Sequence, residues 1–334
     1  MKRHLLTVAI AAATLLPLTA QAAPSVYGRL NLSVDHMDAD AGKGMDGIWE
    51  LNSNSSRVGI RGNEKLNEEF TAVYKAEWGF DADMAGGLTA RERYIGLKHF
   101  QWGAIRLGYI DSPLKNAEDD VDVFNDLVNL DMSNFIYGQN RLSNSINYVS
   151  PKFLDVFGAN ISLQPGEKAD NANENHIADG ISAAFSYEDD SLYLSLAMDK
   201  EIINVDAMRL NARYKFGDVT LSAMFQTAEP TGMSVIGGVD KQEAMVYSAS
   251  YKMEAVVLRG EILMSNTDFV APAGVSAGSA ETTLIGVGFD YNFTQNTKAF
   301  ANLAMSQGET TPAGGGASTD NDTTYLGFGM ETRF

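Results

Sequence analysis

The chain has 334 residues, a formal net charge of −18 at pH 7 and no cysteine. The missing cysteine excludes disulfides and thiolate metal sites, and the acidic balance argues against a nucleic-acid partner, whose phosphates require a basic surface. With 45% hydrophobic residues, composition alone is typical of a soluble globular protein.

The first 22 residues have the three parts of a secretory signal peptide. Lys2 and Arg3 precede an apolar run from Leu5 to Leu16, and the small-residue site Ala20-Gln21-Ala22 follows. Such a segment is removed on export, and it is too short for a membrane-spanning helix, which needs about 20 apolar residues. We expect cleavage after Ala22. Residues 23–334 would then form a single domain with a net charge of −20, because two bases and no acids are removed.

Beyond the signal peptide, apolar and polar residues alternate along successive segments of the chain. The pattern is clearest at residues 208–216, where Leu210 and Tyr214 lie on one face and Arg209 and Arg213 on the other. A period of two places the two sets on opposite faces of a β-strand. We predict sixteen strands, at residues 25–37, 55–62, 69–81, 90–98, 102–110, 141–150, 154–163, 177–187, 190–199, 205–216, 218–229, 242–253, 255–266, 280–293, 296–307 and 322–334.

The predicted connections alternate in length. Short turns, such as Gly217 and Glu254, follow the even-numbered strands, whereas mostly longer polar loops, such as 38–54 and 308–321, follow the odd-numbered ones. An even strand count with alternating faces and alternating loop lengths is typical of an antiparallel transmembrane β-barrel. A soluble β-sandwich would also alternate, but it has no reason to place its long loops at one end.

The third of these long loops, Asp111–Asn140, contains seven acids and one base. Structureless loops longer than about 12–15 residues are uncommon inside a compact fold and are usually functional or disordered. This loop also contains apolar residues such as Phe124 and Leu127, so we expect it to fold back onto the protein. The arginine-bearing faces of its two flanking strands are the expected target.

Several short motifs are spread over the whole predicted mature chain. They are Val26-Tyr-Gly-Arg-Leu30, Ser56-Arg-Val-Gly-Ile-Arg-Gly62, Arg93-Tyr-Ile-Gly-Leu97, Trp102-Gly-Ala-Ile-Arg-Leu-Gly108, Asn144-Ser-Ile-Asn-Tyr-Val-Ser-Pro151 and the terminal Phe334. Together they resemble the general porins of Gram-negative bacteria, in particular those of Neisseria, Burkholderia and related marine bacteria. The resemblance implies a sixteen-stranded outer-membrane barrel, a homotrimer, and a third loop folded into the lumen.

If the apolar faces contact lipid, the opposite faces line the lumen. We expect a pore constriction with a basic wall on the strands and an acidic wall on the third loop. Opposed charges across a narrow throat would create a strong transverse field. The basic wall would comprise Arg29, Arg57, Arg61, Lys75, Arg106 and Arg141, and the acidic wall Asp111, Glu118, Asp119, Asp120, Asp122 and Asp126.

The sequence does not decide on which face of the strand two nearby arginines lie. Arg91 and Arg93 share a face with the apolar Ile95 and Leu97, and a bulge could intervene. The ion preference is open too, because Tyr109 stands where the family often has a basic residue and the third loop is more acidic than in many relatives. The acidic outer loops favour a weak cation preference that fades as salt rises.

The leading functional hypothesis is a passive diffusion channel for small hydrophilic solutes and ions. A solute-specific channel of the same architecture is the alternative, although a sugar-specific one should line its path with aromatics, and Tyr74 and Trp78 fall on the lipid-facing set. A barrel enzyme would need convergent catalytic groups, but the histidines beyond the signal peptide, His36, His99 and His176, are far apart. We therefore expect no enzyme activity, no cofactor and no metal site.

Overall fold

The computed structural model describes residues 23–39, 47–167, 175–231 and 237–334. The predicted signal peptide, residues 1–22, and parts of the predicted loops 38–54 and 164–176 lie outside the described residues. Within the described ranges, no helix is long and apolar enough to cross a membrane.

Sixteen antiparallel strands form one closed sheet, which confirms the predicted barrel. The second strand has two segments, and both pair with the first strand. Each later strand pairs with the next, and the last returns to the first in a register from Arg29–Arg333 to Ala39–Thr323, which closes the barrel. The strands are β1 Ser25–Ala39, β2 Ile48–Ser53 with Arg57–Lys65, β3 Phe70–Gly79, β4 Thr89–His99, β5 Gly103–Asp111, β6 Arg141–Val149, β7 Phe157–Gln164, β8 Gly180–Glu188, β9 Leu192–Ile202, β10 Val205–Phe216, β11 Val219–Pro230, β12 Val239–Met253, β13 Val256–Phe269, β14 Ser279–Asn292, β15 Thr297–Thr311 and β16 Thr319–Arg333.

The connection between β9 and β10 is the exception to the alternation in loop length. It consists of Ile203 and Asn204 alone, and both have positive φ angles, 52° and 58°. Two successive residues in this region form the kind of turn whose twist matches that of a β-hairpin. β9 and β10 can therefore continue almost to the tip of their hairpin, whereas the sequence pattern predicted no strand at residues 200–204.

The sheet is polar inside and apolar outside. Leu107, Leu210 and Phe328 lie on the outer surface and are about half exposed, whereas Asn147 and Gln226 lie on the inner face and are fully buried. This distribution is the reverse of a soluble barrel and is typical of one whose outer surface contacts lipid.

The long connection between β5 and β6 lies inside the barrel; we call residues 112–140 the third loop. It contains a short helix α1 (Pro113–Asn116) and a 3₁₀ turn (Met132–Asn134). Its apolar side chains pack against inward-facing residues of β11 to β15, and the members of this core are Val121, Phe124, Leu127, Leu130, Met132, Ile136, Met224, Ala244, Val246, Leu263, Leu284, Phe300 and Ala304. The apolar side of the loop therefore contacts the wall far from its flanking strands, whereas the sequence pattern had pointed to the flanking strands themselves.

Candidate functional site: a charged throat inside the barrel

A cavity of about 670 Å³ lies beside the third loop, against the inner faces of β1 to β4 and of β13, β15 and β16, and we call it the large cavity. Its lining includes eight bases and six acids, so the formal balance is an excess of two positive charges. The bases are Arg29, Arg57, Arg61, Lys75, Arg91, Arg259, Lys298 and Arg333, and the acids are Glu77, Glu92, Asp111, Asp122, Asp126 and Glu331.

A second cavity, of about 330 Å³, lies against another part of the loop and is lined by residues such as Ser55, Phe80 and Val128. The two cavities have only Arg91 and Asp126 in common. The two cavities therefore adjoin at this acid of the loop and this base of the wall. We call this place the throat.

Asp126 is held at the throat by two arginines of the barrel wall. Its Oδ2 lies 2.8 Å from Arg29 Nη2 and 3.2 Å from Arg57 Nη2, and its backbone N–H donates to Asp131 Oδ2 at 2.7 Å. Burial works to raise the pKa of Asp126, but the positive charges of Arg57 and Arg29 outweigh it and lower that pKa to about 2. Asp126 is therefore a fixed negative charge at neutral pH.

A β-bulge in β4 settles the direction of the two arginines that the sequence left open. Ala76 pairs with Arg93 and Trp78 with Ala90, so that Arg91 and Glu92 together oppose Glu77. Arg91 Nε lies 2.7 Å from Glu77 Oε1 inside the barrel.

Arg93 is directed to the other side of the sheet. It shares the exposed outer face with Ile95 and Leu97, and its guanidinium lies 6.0 Å from the centre of the Tyr109 ring. The bulge therefore sends two arginines that are two residues apart to opposite surfaces.

Three acids on the strands were not among the predicted site residues. Glu77 and Glu92 neutralise part of the basic wall, since Lys75 Nζ lies 2.6 Å from Glu92 Oε2 and 3.5 Å from Glu77 Oε2. Glu331 lies 3.5 Å from Arg29 Nη1. The alternation of residues could have revealed Glu77 and Glu331, because both lie on the polar face of their strands. The position of Glu92 depends on the bulge.

Four of the six predicted basic residues, Arg29, Arg57, Arg61 and Lys75, line the large cavity, but the structure does not bring the other two to it. Arg106 donates from Nε and Nη2 to Asn147 Oδ1, at 2.9 and 2.6 Å.

The last predicted base, Arg141, pairs through Nε with Asp111 Oδ1 at 2.8 Å. Of these two residues only Asp111 reaches the cavity lining. Four of the six bases predicted for the basic wall therefore line the cavity, fewer than the sequence pattern indicated.

The predicted acidic wall divides into two groups. Asp111, Asp122 and Asp126 line the large cavity, whereas Glu118 pairs with Arg209 and Asp119 with Arg213 on β10. Asp120, 3.5 Å from the same Arg213, is mostly exposed and lines another cavity of about 420 Å³, which adjoins the large cavity at Asp122, Val123, Asn125 and Arg259.

Asp122 has a structural role in the loop. Its carboxyl oxygens accept hydrogen bonds from the backbone N–H groups of Phe124 and Met132, at 2.8 and 2.9 Å. Burial, reinforced by the neighbouring Glu261, raises the pKa of Asp122 well above its usual range. Asp122 therefore contributes less fixed charge to the cavity than Asp126 does.

The histidines of the described residues do not assemble into a site. His36 lies against Trp49 with the rings tilted by 52° and their centres 4.7 Å apart, and His99 stacks on Trp102 at 4.1 Å. His176 Nδ1 lies 3.0 Å from Asp179 Oδ1. Among the residues that the structure describes, no group of three or more histidine, cysteine or acidic side chains could hold a metal ion.

Comparisons with known proteins agree with this architecture. Residues 7–311 match the family model described as Gram-negative porin. The chain is 25% identical to the "Major outer membrane protein P.IB" of Neisseria gonorrhoeae over 347 residues, covering 92% of this chain and 94% of that protein.

Two solved structures share the fold. The "Anion-selective porin from Comamonas acidovorans" superposes with a TM-score of 0.69 at 19% identity and covers 93% of this chain and 99% of its own. The Vibrio cholerae outer membrane protein OmpT, in a structure described as its trimer form, has a TM-score of 0.68 at 15% identity, with coverage of 93% and 99%.

Proposed function

Because the chain belongs to the Gram-negative porin family, and so forms a passive diffusion channel of the outer membrane, we propose that small hydrophilic solutes and ions cross it at the throat between Asp126 and Arg91. The observation that supports this path is that these two residues are the ones shared by the linings of the large cavity and of the second cavity. Diffusion needs no cofactor, and we propose no catalytic step.

The throat selects solutes by its electric field. Asp126 of the loop contacts Arg29 and Arg57 of the wall directly, so these opposite charges lie side by side at the edge of the passage. The field of this charged cluster orients water and polar solutes, and an apolar solute must displace that oriented water. We therefore propose preferential passage of hydrophilic solutes.

Net ion selectivity should be weak. Bases and acids nearly cancel in the large cavity, with an excess of two positive charges. The outer loops are acidic: residues 38–54 contain four acids and one lysine. An acidic mouth concentrates cations within a screening length of about 8–10 Å at physiological salt. We propose a small cation preference in dilute salt.

We also propose a homotrimer in which one wall of the barrel faces the other subunits. The strands from the second segment of β2 to β7 have 8 to 11 residues, whereas β12 to β16 have 14 or 15. Arg93 projects from the outer face of the short wall. A lone arginine facing lipid costs about 2–4 kcal/mol at the bilayer midplane, so protein contact at this face is favourable.

Planar-bilayer recording of the purified, refolded protein tests the proposed function. We expect stable conductance steps that grow in proportion to salt concentration, and liposome swelling rates that fall smoothly with solute size. The absence of steps from folded protein would refute a channel. Saturable current block by one sugar or anion would favour the solute-specific alternative.

A further inference from the structure

Arg209 is fully buried on the inner face of β10, directly beneath the base of the third loop. We call residues 112–120, which lead into the loop, the rising leg, and residues 134–140, which lead out of it, the returning leg. Arg209 lines neither the large cavity nor the throat, so the proposed solute path does not explain why it is there.

The guanidinium of Arg209 bonds both legs. Nη1 donates to Leu114 O at 3.4 Å and to Glu118 Oε2 at 3.1 Å on the rising leg. Nη2 donates to Tyr137 O at 3.3 Å on the returning leg.

The remaining donor direction is occupied by the barrel wall. Nε of Arg209 donates to Gln226 Oε1 at 2.8 Å, and Gln226 Nε2 in turn donates to Tyr137 O at 2.9 Å. A planar guanidinium with five donors can hold several acceptors at fixed angles, which a flexible ammonium cannot do. Arg209 is thus bound to both legs and to the neighbouring strand.

Neighbouring residues reinforce this arrangement. Glu118 accepts a second bond from Gln139 Nε2 at 2.6 Å, which joins the two legs directly. Gly138 has a φ of +87°, and a Cβ there would lie 2.6 Å from Leu114 Cδ2 and 3.3 Å from Arg209 Nη2. Only glycine therefore lets the returning leg pass this close to Arg209.

We propose that Arg209 is a positioning residue for the throat: by clamping both legs of the third loop to the barrel wall, it fixes the place at which Asp126 stands in the pore. This inference rests on the proposed function, because it assigns Arg209 a role in the position of the same throat. Breaking one partner of a buried ion pair leaves the other charge unpaired, so loss of the arginine leaves Glu118 without its buried counter-charge and removes three hydrogen bonds to the two legs.

The test combines Arg209→Met with Asp126→Asn in a double-mutant cycle, read as open-channel noise and reversal potential in bilayers. We expect Arg209→Met to lose the steady open current. We also expect that Asp126→Asn shifts the reversal potential much less, or not at all, when Arg209→Met is present. Arg213→Met is the matched control: Arg213 lies four residues along the same strand and contacts only the rising leg of the loop, through Asp119 and Asp120, besides Glu188 of the wall. We expect it to keep a steady current.

The outcomes separate the two ideas. If Asp126→Asn alone moves nothing, the proposed throat is wrong. If Asp126→Asn shifts the potential equally with and without Arg209, and the current stays steady, the clamp is wrong. Should Arg209→Met yield no folded barrel, the same measurements on Arg209→Lys and Gly138→Ala decide. Lysine keeps the charge but cannot hold both legs, and the Cβ of alanine at position 138 drives the returning leg away from Leu114 and Arg209. Steady current and full additivity in both would overturn the proposal.

Discussion

Neutralising one carboxylate, Asp126→Asn, is the most direct perturbation of the throat. The amide keeps the size of the side chain and removes the negative charge that faces Arg29 and Arg57. The formal excess of positive charge around the large cavity then rises from two to three. We expect the channel to shift toward anions.

The size of the shift follows from the electrostatics of a water-filled passage. Two unit charges about 4 Å apart interact by about 1 kcal/mol in water and by about 4 kcal/mol near a protein surface. Because the path is filled with water and mobile ions screen the charge, we expect an interaction energy near the lower of these two values. An energy of about 1 kcal/mol corresponds to a rise of about fivefold in the anion-to-cation permeability ratio.

The assay is the zero-current potential across a bilayer in a salt gradient, first in dilute and then in concentrated salt. Asp120→Asn is the matched control, since it removes the same charge from the same loop but lies in a different cavity. We expect its effect to be smaller. Equal shifts from both variants, or none from Asp126→Asn, would refute the reasoning that places the throat at Asp126.

The pH dependence of the wild-type channel provides a second check on Asp126. Because its pKa is lowered from 3.8 to about 2, the charge and its ion pairs are fully present above about pH 4 and are lost as the pH falls through about 2. The difference in selectivity between the wild type and Asp126→Asn should therefore stay constant from pH 8 to pH 4 and disappear only below this range. A midpoint near neutral pH would show that another group controls selectivity.

Three further predictions concern the loop acids, assembly and topology. Neutralising Asp119, Asp120 and Asp122 together should also shift the reversal potential toward anions, but less than Asp126→Asn does. The reason is that Asp119 and Asp120 face Arg213 and that Asp122 has a raised pKa. A larger shift than that of Asp126→Asn would contradict the placement of the throat at Asp126. Phe334→Asp should lower the amount of heat-modifiable barrel, and Gly28→Val should do the same, because the Phe334 ring lies over Gly28, where a Cβ would come within 2.3 Å of it. Wild-type amounts would exclude this role. Epitope tags in loops 164–176 and 308–321 should label on intact cells, and a tag at Gly217 should not; equal labelling would contradict the predicted orientation.

The sequence was sufficient to predict the barrel, because strand direction and burial follow a period of two that can be read residue by residue. The alternation at residues 208–216 correctly separated Arg209 from Leu210, and the structure places the first inside and the second outside. The same pattern correctly put Phe328 on the outer face.

The throat could be predicted only in part, because its geometry depends on contacts between distant residues. Asp126 meets Arg57 across 69 positions of the chain, and Glu118 meets Arg209 across 91. No local pattern assigns such partners. The bulge opposite Glu77 could be raised from the sequence but not decided, since it is defined by the register between β3 and β4 rather than by either strand alone.

The two sides of the third loop explain why its acids divide between two walls. An apolar cluster that includes Phe124 and Met132 attaches one side of the loop to β11 to β15, where water is excluded. Charged groups at its base must then find buried partners, and Arg209 supplies one for Glu118. Asp126, on the opposite side, faces the solvated wall of β1 to β4. One amphipathic segment therefore fills part of the lumen with its apolar side and places a fixed charge beside the part that stays open. This arrangement requires no hinge or moving part.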